Sequence, residues 1–415
     1  MALDHAALQA RDQLERVILP FWLSRGIDRT YGGFHTGFDN RGRTRTTTDK
    51  FTWSQGRFVW LLARAAQHAR RGRLALDART LLADAEAGAR FLLDHAVVGT
   101  DTCAFRVTER GELVNGTASP ARSVYADCFV VMGLAELARA TGEAAWLSRA
   151  EPILARARAD ILAGTAPTPP YEVPAGYRAF GPTMILLNTL LVHAEAARAL
   201  GLELGPHRQW LAQGLDLLLA HRAADGTFAE MLPEHAPPRP DALLDRHRVP
   251  GHAIEGLWVA LDVMELLGDT SHQREILDSV PALCSLGWDP VHGGLLRYTD
   301  ADGGAPRGNR SDSPYEDLVA RTWDTKLWWV HTEAAATAAI SARRHGDAAS
   351  AEWFERIWDY TLDTFPGGAD GEEWVQIRDR EGRPLDEVVA LPVKDPFHIT
   401  RNLMQLLVPA NEEDR

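Results

Sequence analysis

Apolar residues recur at i, i+3, i+4 and i+7 in about a dozen stretches of this 415-residue chain. A helix patterned that way needs a neighbour to hide its apolar face. The stretches run over 6–24, 53–71, 77–96, 122–141, 144–163, 182–200, 207–222, 252–267, 272–286, 321–344, 348–364 and 396–409. They make six helix pairs, one roughly every 60 to 70 residues, and such pairs bury their faces only by stacking on one another. The pairs differ strongly in sequence and their loops are unequal in length, which favours a closed ring with one functional mouth over an open solenoid. The expectation is an all-α fold, an (α/α)6 barrel. Short Gly-bounded stretches such as "GGFHTGFD", "GTFAEML" and "EEWVQIRDREG" read as brief strands or hairpins in its loops. No Gly/Ser linker or charge block divides the chain, so residues 1–415 are expected to form a single domain.

Charge and cysteine usage narrow the function classes. The net charge is -13, and the 44 Lys and Arg residues are scattered among 57 acids. A chain with no basic stripe suits neither nucleic acid nor an anionic membrane surface. No apolar run approaches the roughly 20 residues of a membrane span, and the amino-terminal stretch mixes charges through its apolar positions, unlike a signal peptide. Cys103, Cys128 and Cys284 are far apart with no CxxC spacing. A disulfide framework or zinc knuckle is therefore not expected, and a reducing cytoplasm fits.

Polar and aromatic residues gather at the starts of several of the expected helices. "VPGHAIEGLWVAL" sets His252 behind a Pro-Gly break, with Glu255 and Trp258 following at three-residue steps on one face. Capping and packing by His252, with Glu255 favoured by the helix dipole, is the plainer account of this stretch alone. "DTKLWWVHTEAAATAA" offers Trp328, Trp329, His331 and Glu333, of which Trp329 and Glu333 share a face. "KDPFHITRNLMQLL" places His398 and Arg401 three apart, and "DKFTWSQGRFVW" places Trp53, Gln55 and Arg57 at a helix start. In a barrel of antiparallel hairpins the inner helices start at one mouth, so these residues converge there. Aromatic faces beside carboxylates suit sugars, whose C–H faces stack while their hydroxyls need acceptors. Imidazole and carboxylate also bind metals, but no HxH, HExxH or second closely spaced carboxylate pair is present, the histidines lie on separate helices, and no metal is expected.

The set "YGGFHTGFD", "DKFTWSQGRFVW", "PGHAIEGLW", "TKLWWVHTEA" and "FHITR" spans residues 31 to 401 and resembles the N-acylglucosamine 2-epimerase family, which includes cellobiose 2-epimerases and mannose isomerases. The resemblance implies an (α/α)6-barrel catalytic domain, a small-molecule sugar substrate, chemistry without a cofactor, and a monomer or homodimer. It implies that His252 and His398 are the catalytic pair. Arg57 would face the developing oxyanion and Glu255 would orient or charge His252. Trp53, Asn188, Trp258, Trp329, Glu333 and Arg401 would line or support the sugar site. Cellobiose epimerases and some isomerases carry a further histidine four residues after an asparagine in a mid-chain helix. Here Val192 stands four after Asn188 and His193 is displaced by one, about 100° around a helix. That favours the N-acylglucosamine epimerases, which lack the extra histidine.

Epimerising C2 requires removing the proton α to the open-chain carbonyl and returning one to the other face, and two histidines with pKa values near neutrality fit that task. An aldose–ketose isomerase interconverting mannose and fructose begins with the same abstraction. An inverting glycosidase on the same barrel would instead need two carboxyl groups, drawn from Glu255, Glu333 or loop aspartates, and would leave the histidines without a role. A sugar-binding protein without catalysis would use the tryptophans alone.

Overall fold

A computed structural model describes residues 2–114, 121–234, 237–311, 313–367, 372–388 and 391–409. Fifteen α-helices are found among the described residues. They are α1 (Ala2–Gln13), α2 (Leu19–Arg25), α3 (Thr52–Arg70), α4 (Ala78–Phe91), α5 (Val124–Thr141), α6 (Ala144–Leu162), α7 (Phe180–Ala199) and α8 (Gly205–Leu219), then α9 (Leu243–Arg246), α10 (Pro250–Leu267), α11 (Gln273–Gly287), α12 (Pro314–Thr322), α13 (Trp328–His345), α14 (Ala348–Thr364) and α15 (Phe397–Leu406). Single π-helical turns at Leu14–Ile18 and Leu92–Ala96 join α1 to α2 and extend α4.

Burial separates two kinds of helix. In α7, 17 of 20 residues are buried, whereas α8 buries only Leu211, Gly214, Leu215 and Leu218, the spacing of one helix face. Helices α3, α5, α7, α10, α13 and α15 pack side by side into a ring that closes where α15 meets α3. Helices α4, α6, α8, α11 and α14 each cover the inner helix before them, and α1 covers α15, so the two ends of the described chain make the sixth pair. This is the (α/α)6 barrel expected from the pattern. One contiguous hydrophobic cluster runs through it from Ala6 to Leu406.

Glycines set the closest approaches. A Cβ on Gly133 would lie 2.6 Å from the Gly56 carbonyl oxygen, so α3 and α5 cross nearly backbone to backbone. That crossing brings Arg57 over the Phe129 ring, 4.1 Å from its centroid.

Short strands tie down the starts of inner helices. They are β1 (Lys50–Phe51), β2 (Val97–Val98), β3 (Thr102–Cys103), β4 (Arg106–Val107), β5 (Tyr177–Ala179), β6 (Met231–Pro233), β7 (His247–Arg248), β8 (Thr299–Asp300), β9 (Lys326–Leu327) and β10 (Ile377–Arg378). All pair antiparallel in twos: β1 with β4, β2 with β3, β5 with β6, β7 with β8 and β9 with β10. Strands β1, β5 and β9 lead directly into α3, α7 and α13.

A repeated module reinforces two of these starts. Asp28 and Asp289 each open a turn through a Gly-Gly pair, with Asp28 N donating to Gly33 O (3.0 Å) and Asp289 N to Gly294 O (2.8 Å). The buried Lys50 donates to Asp28 and to Gly32 O (2.6 Å), and the buried Lys326 donates to Gly293 O and pairs with Asp289 at 3.6 Å.

The expected helix over 321–344 is two helices. Ser313 caps α12, its Oγ accepting from Glu316 N (3.2 Å) and donating to Glu316 Oε2 (3.0 Å), and residues 323–327 turn into β9 so that Lys326 can be buried. The Pro-Gly pair at 250–251 is the first turn of α10, not a break before it. A Cβ on Gly251 would lie 2.8 Å from the Trp329 ring, so this glycine lets α10 and α13 meet beside His252.

Candidate active site

The six inner helices all begin at one cavity of about 240 Å³. Trp53 and Arg57 come from α3, Tyr125 and Phe129 from α5, Met184 from α7, His252 and Glu255 from α10, Trp329 from α13 and His398 from α15. Of the residues assigned to the site from sequence, His252, His398, Arg57, Glu255, Trp53 and Trp329 are thus brought together in its wall. The other four lie behind it. Trp258, Glu333 and Arg401 are buried beneath His398, and Asn188 is buried farther along α7 with both amide atoms lacking a hydrogen-bond partner.

His398 stands on a dense ionic base. Its Nδ1 lies 2.7 Å from Glu333 Oε1, and Arg57 Nη2 lies 3.1 Å from its Nε2. Arginine only donates, so Nε2 accepts from Arg57, and Nδ1–H donates to Glu333 Oε1, a contact much shorter than the 3.4 Å from Nδ1 to Arg401 Nη2. The ring is therefore a neutral imidazole of fixed tautomer. Burial pushes its pKa down to about 3, with Arg57 and Arg401 adding to that against the pull of Glu255. Arg57 is held in turn by an ion pair with Asp395, whose other oxygen accepts from Phe397 N at the start of α15 (2.7 Å).

Glu333 also accepts from Trp258 Nε1 (3.0 Å), Asn402 Nδ2 (2.7 Å) and Arg401. Arg401 Nη2 donates as well to Glu255 Oε1 at 2.6 Å. Glu255, Glu333 and His398 approach one another as metal ligands would, but the positive charge among them is the Arg401 guanidinium.

His252 is built differently. Its carboxylate partner is Glu230, from the residue before β6, with both carboxylate oxygens 3.2 Å from Nδ1. The orienting role expected of Glu255 thus falls to Glu230, whereas Glu255, one turn away on the same helix, is bonded to Arg401 and adds only its charge. Burial lowers the His252 pKa, but the charge and hydrogen bond of Glu230, with Glu255 adding to them, outweigh burial and raise it above the ordinary value. The Trp329 ring lies against both imidazoles, its centroid 5.5 Å from that of His252 and 5.4 Å from that of His398.

Gln55 and His331 serve the frame. Gln55 exchanges two hydrogen bonds with the Phe34 backbone, and His331 bridges Leu327 O and Leu295 N, both at 2.8 Å. His193 bonds His207 (2.9 Å) and takes no part in the cavity wall. Sequence reasoning missed Glu230, Asp395 and Arg297. Asp395 carried a signal, an Asp-Pro pair just before a helix. Glu230 sits in a loop stretch read only as a strand, and nothing local marks it.

The family described as N-acylglucosamine 2-epimerase (GlcNAc 2-epimerase) matches residues 32–401. The chain belongs to this family. It is 31% identical over 401 residues to the N-acylglucosamine 2-epimerase of Rattus norvegicus, an alignment covering 93% of this chain and 87% of that protein. The Homo sapiens N-acylglucosamine 2-epimerase is 30% identical over 406 residues, covering 94% and 87%. The fold is shared with the cellobiose 2-epimerase of Bacillus thermoamylovorans B4167, with a TM-score of 0.76 at 19% identity, covering 97% of this chain and 99% of that one. It is shared too with a D-mannose isomerase, TM-score 0.71 at 16% identity, covering 98% and 96%. The enzyme is an isomerase of the carbohydrate epimerase and isomerase class. No helix among its described residues is long and apolar enough to cross a membrane.

Proposed function

We propose that the enzyme is an N-acylglucosamine 2-epimerase acting on open-chain N-acetylglucosamine and N-acetylmannosamine, with 1–415 as one catalytic domain working in the cytoplasm. The relatives' activity supports the substrate, and the ring closed by α15 on α3, with α1 and α15 as its sixth pair, supports the domain. The observation that carries the mechanism is the pair of imidazoles in one cavity, one neutral with Nε2 facing Arg57, the other biased toward the cation by Glu230.

In one direction His398 Nε2 takes the C2 proton, and the C2–H electron pair moves into the C1–C2 bond to form a cis-enediolate-type intermediate. Substrate O1 draws the Arg57 guanidinium away from Nε2, which frees the base as the oxyanion gains its donor. His252 then gives its Nε2 proton to the opposite face of C2. The reverse reaction exchanges the roles. Six helix N-termini at the mouth add a field favouring the anionic intermediate. Glu255 and Glu333, the carboxylates from which a glycosidase would draw, are already engaged with Arg401 and, for Glu333, also His398.

Proton NMR in D2O tests the reading. N-acetylmannosamine should give N-acetylglucosamine deuterated at C2. Fructose from mannose, without conversion of the acylated sugar, would make the enzyme the aldose–ketose isomerase instead.

A further inference from the structure

The cavity is chemically divided. Arg57, Asp395 and His398 occupy one side, whereas the wall on the His252 side includes Arg297, Tyr298 and Tyr315. Arg297 is only 7% exposed. Its backbone N donates to Thr325 O and that of Tyr298 to Trp323 O, both at 3.1 Å, which fixes the stretch just before β8. Its Nη1 donates to Thr322 Oγ1 at 3.1 Å, and that hydroxyl donates to Leu318 O at 2.8 Å. Its Cζ lies 4.9 Å from the Tyr298 ring centroid. The guanidinium is thus a fixed part of the wall, near enough for its charge to act on His252. The hydroxyl of Tyr315 is engaged with His247 Nε2 (3.0 Å), which leaves its ring as the surface it contributes to the cavity.

In the planar intermediate the C2 substituent extends sideways between the two imidazoles, and Arg297 is, among the described residues, the only Arg or Lys side chain of the cavity wall besides Arg57. We propose that Arg297 is a specificity-determining residue that donates to the carbonyl oxygen of the 2-acylamino group, while Tyr298 and Tyr315 receive the acyl methyl. The inference rests on the epimerase reading above and names what selects its substrate. An amide carbonyl only accepts and a guanidinium only donates, so the match is complementary. A hydroxyl at C2 ends one bond from the carbon and falls short of the carbonyl position. A site built to hydrogen-bond a substrate group discriminates strongly against a substrate lacking it.

The test is steady-state kinetics with N-acetylmannosamine for the wild-type enzyme, Arg297→Gln and Arg297→Lys, alongside thermal midpoints. Arg297→Gln should raise KM by about tenfold to a hundredfold, the usual range for a lost charge-assisted hydrogen bond, with kcat within about threefold. Arg297→Lys, which keeps the charge and a donor, should fall between. It supplies the same comparison if the glutamine variant unfolds. An unchanged KM in both variants, or a fall in kcat with KM preserved, overturns the assignment. Failure of the epimerase reading is distinguishable, because it would show in the wild-type enzyme as no conversion of N-acetylmannosamine at all, and this inference would go with it.

Discussion

His252 and His398 perform mirror-image tasks in the proposed mechanism, yet they are supported in opposite ways. His398 stands on a buried network of Glu333, Arg401, Glu255, Trp258 and Asn402, drawn from three inner helices, and Arg57 keeps its Nε2 unprotonated. His252 leans on one carboxylate, Glu230, supplied by a loop beside β6. The contrast teaches that a two-base site need not be symmetric at rest. One imidazole is held neutral and the other is biased toward its charged form, so the two differ before substrate arrives.

The largest test is removal of each ring. His252→Ala and His398→Ala should each lower kcat for epimerisation by about 10²- to 10⁴-fold. The sharper readout is deuterium uptake at C2. Each variant keeps one base, so each should exchange the C2 proton of one epimer without inverting it, and the two variants should choose different epimers. Exchange of the same epimer by both would break the two-face assignment, and near-normal epimerisation by either would remove that histidine from the chemistry.

Next in size are the carboxylates, which should fail differently. Glu333→Gln takes the charge from a buried group paired with Arg401 and His398, and should cost about 3–5 kcal/mol of stability, measurable by denaturant unfolding. Glu230→Gln keeps an isosteric acceptor at a residue whose one described charged partner is His252. It should leave the fold within about 1 kcal/mol while lowering kcat at neutral pH, because the imidazolium loses the carboxylate charge that raises its pKa. Equal stability losses in the two variants would erase the distinction between a buried base and a loop-borne one.

The pH dependence of stability carries the same contrast with opposite signs. The folded pKa of His398 is held near 3, below its unfolded value near 6.5. The unfolded chain therefore binds more protons between those values, and stability falls as pH drops from about 6.5 toward 3. The folded pKa of His252 is raised. Its contribution is fully present below about 6.5 and is lost as pH rises through the raised value. Thermal unfolding across pH should therefore show Glu230→Gln furthest below the wild type under pH 6.5, with the gap closing above it. His398→Asn should instead flatten part of the acid slope, to which other buried groups also contribute, among them His193 and His331, which burial holds near 3.

The helices were legible because a one-face apolar period survives any particular tertiary contact, and the ring followed from counting pairs. The split between α12 and α13 was not, although a Ser-x-x-Glu start signal at Ser313 stood in the sequence, because the apolar period runs through "LVARTWDTKLWWV" without a visible break. His252, His398 and Arg57 were legible through their shared place at helix starts. What sequence could not supply was partner choice. Glu255 is the obvious companion of His252 at three residues' distance, but Arg401 arrives from α15 with a full charge and takes it, leaving the role to Glu230. The same holds for Lys50 and Lys326, whose burial depends on Gly-Gly turns 18 and 33 residues away.

The smallest expected effect separates the two supports most cleanly. Trp258 shares a helix with His252 but gives its indole N–H to Glu333, so it belongs to the support of His398. Trp258→Phe keeps most of the ring volume and removes only that donor. The loss should be about 1–2 kcal/mol of stability, as for one hydrogen bond to a charged acceptor partly compensated by Arg401 and Asn402. Turnover should stay within about threefold, and the pH limb moved by Glu230→Gln should not move here. A shift of that limb by Trp258→Phe would mean that the two histidines are coupled through α10 itself, and the division into a loop-supported acid and a network-supported base would have to give way to one shared ionic unit.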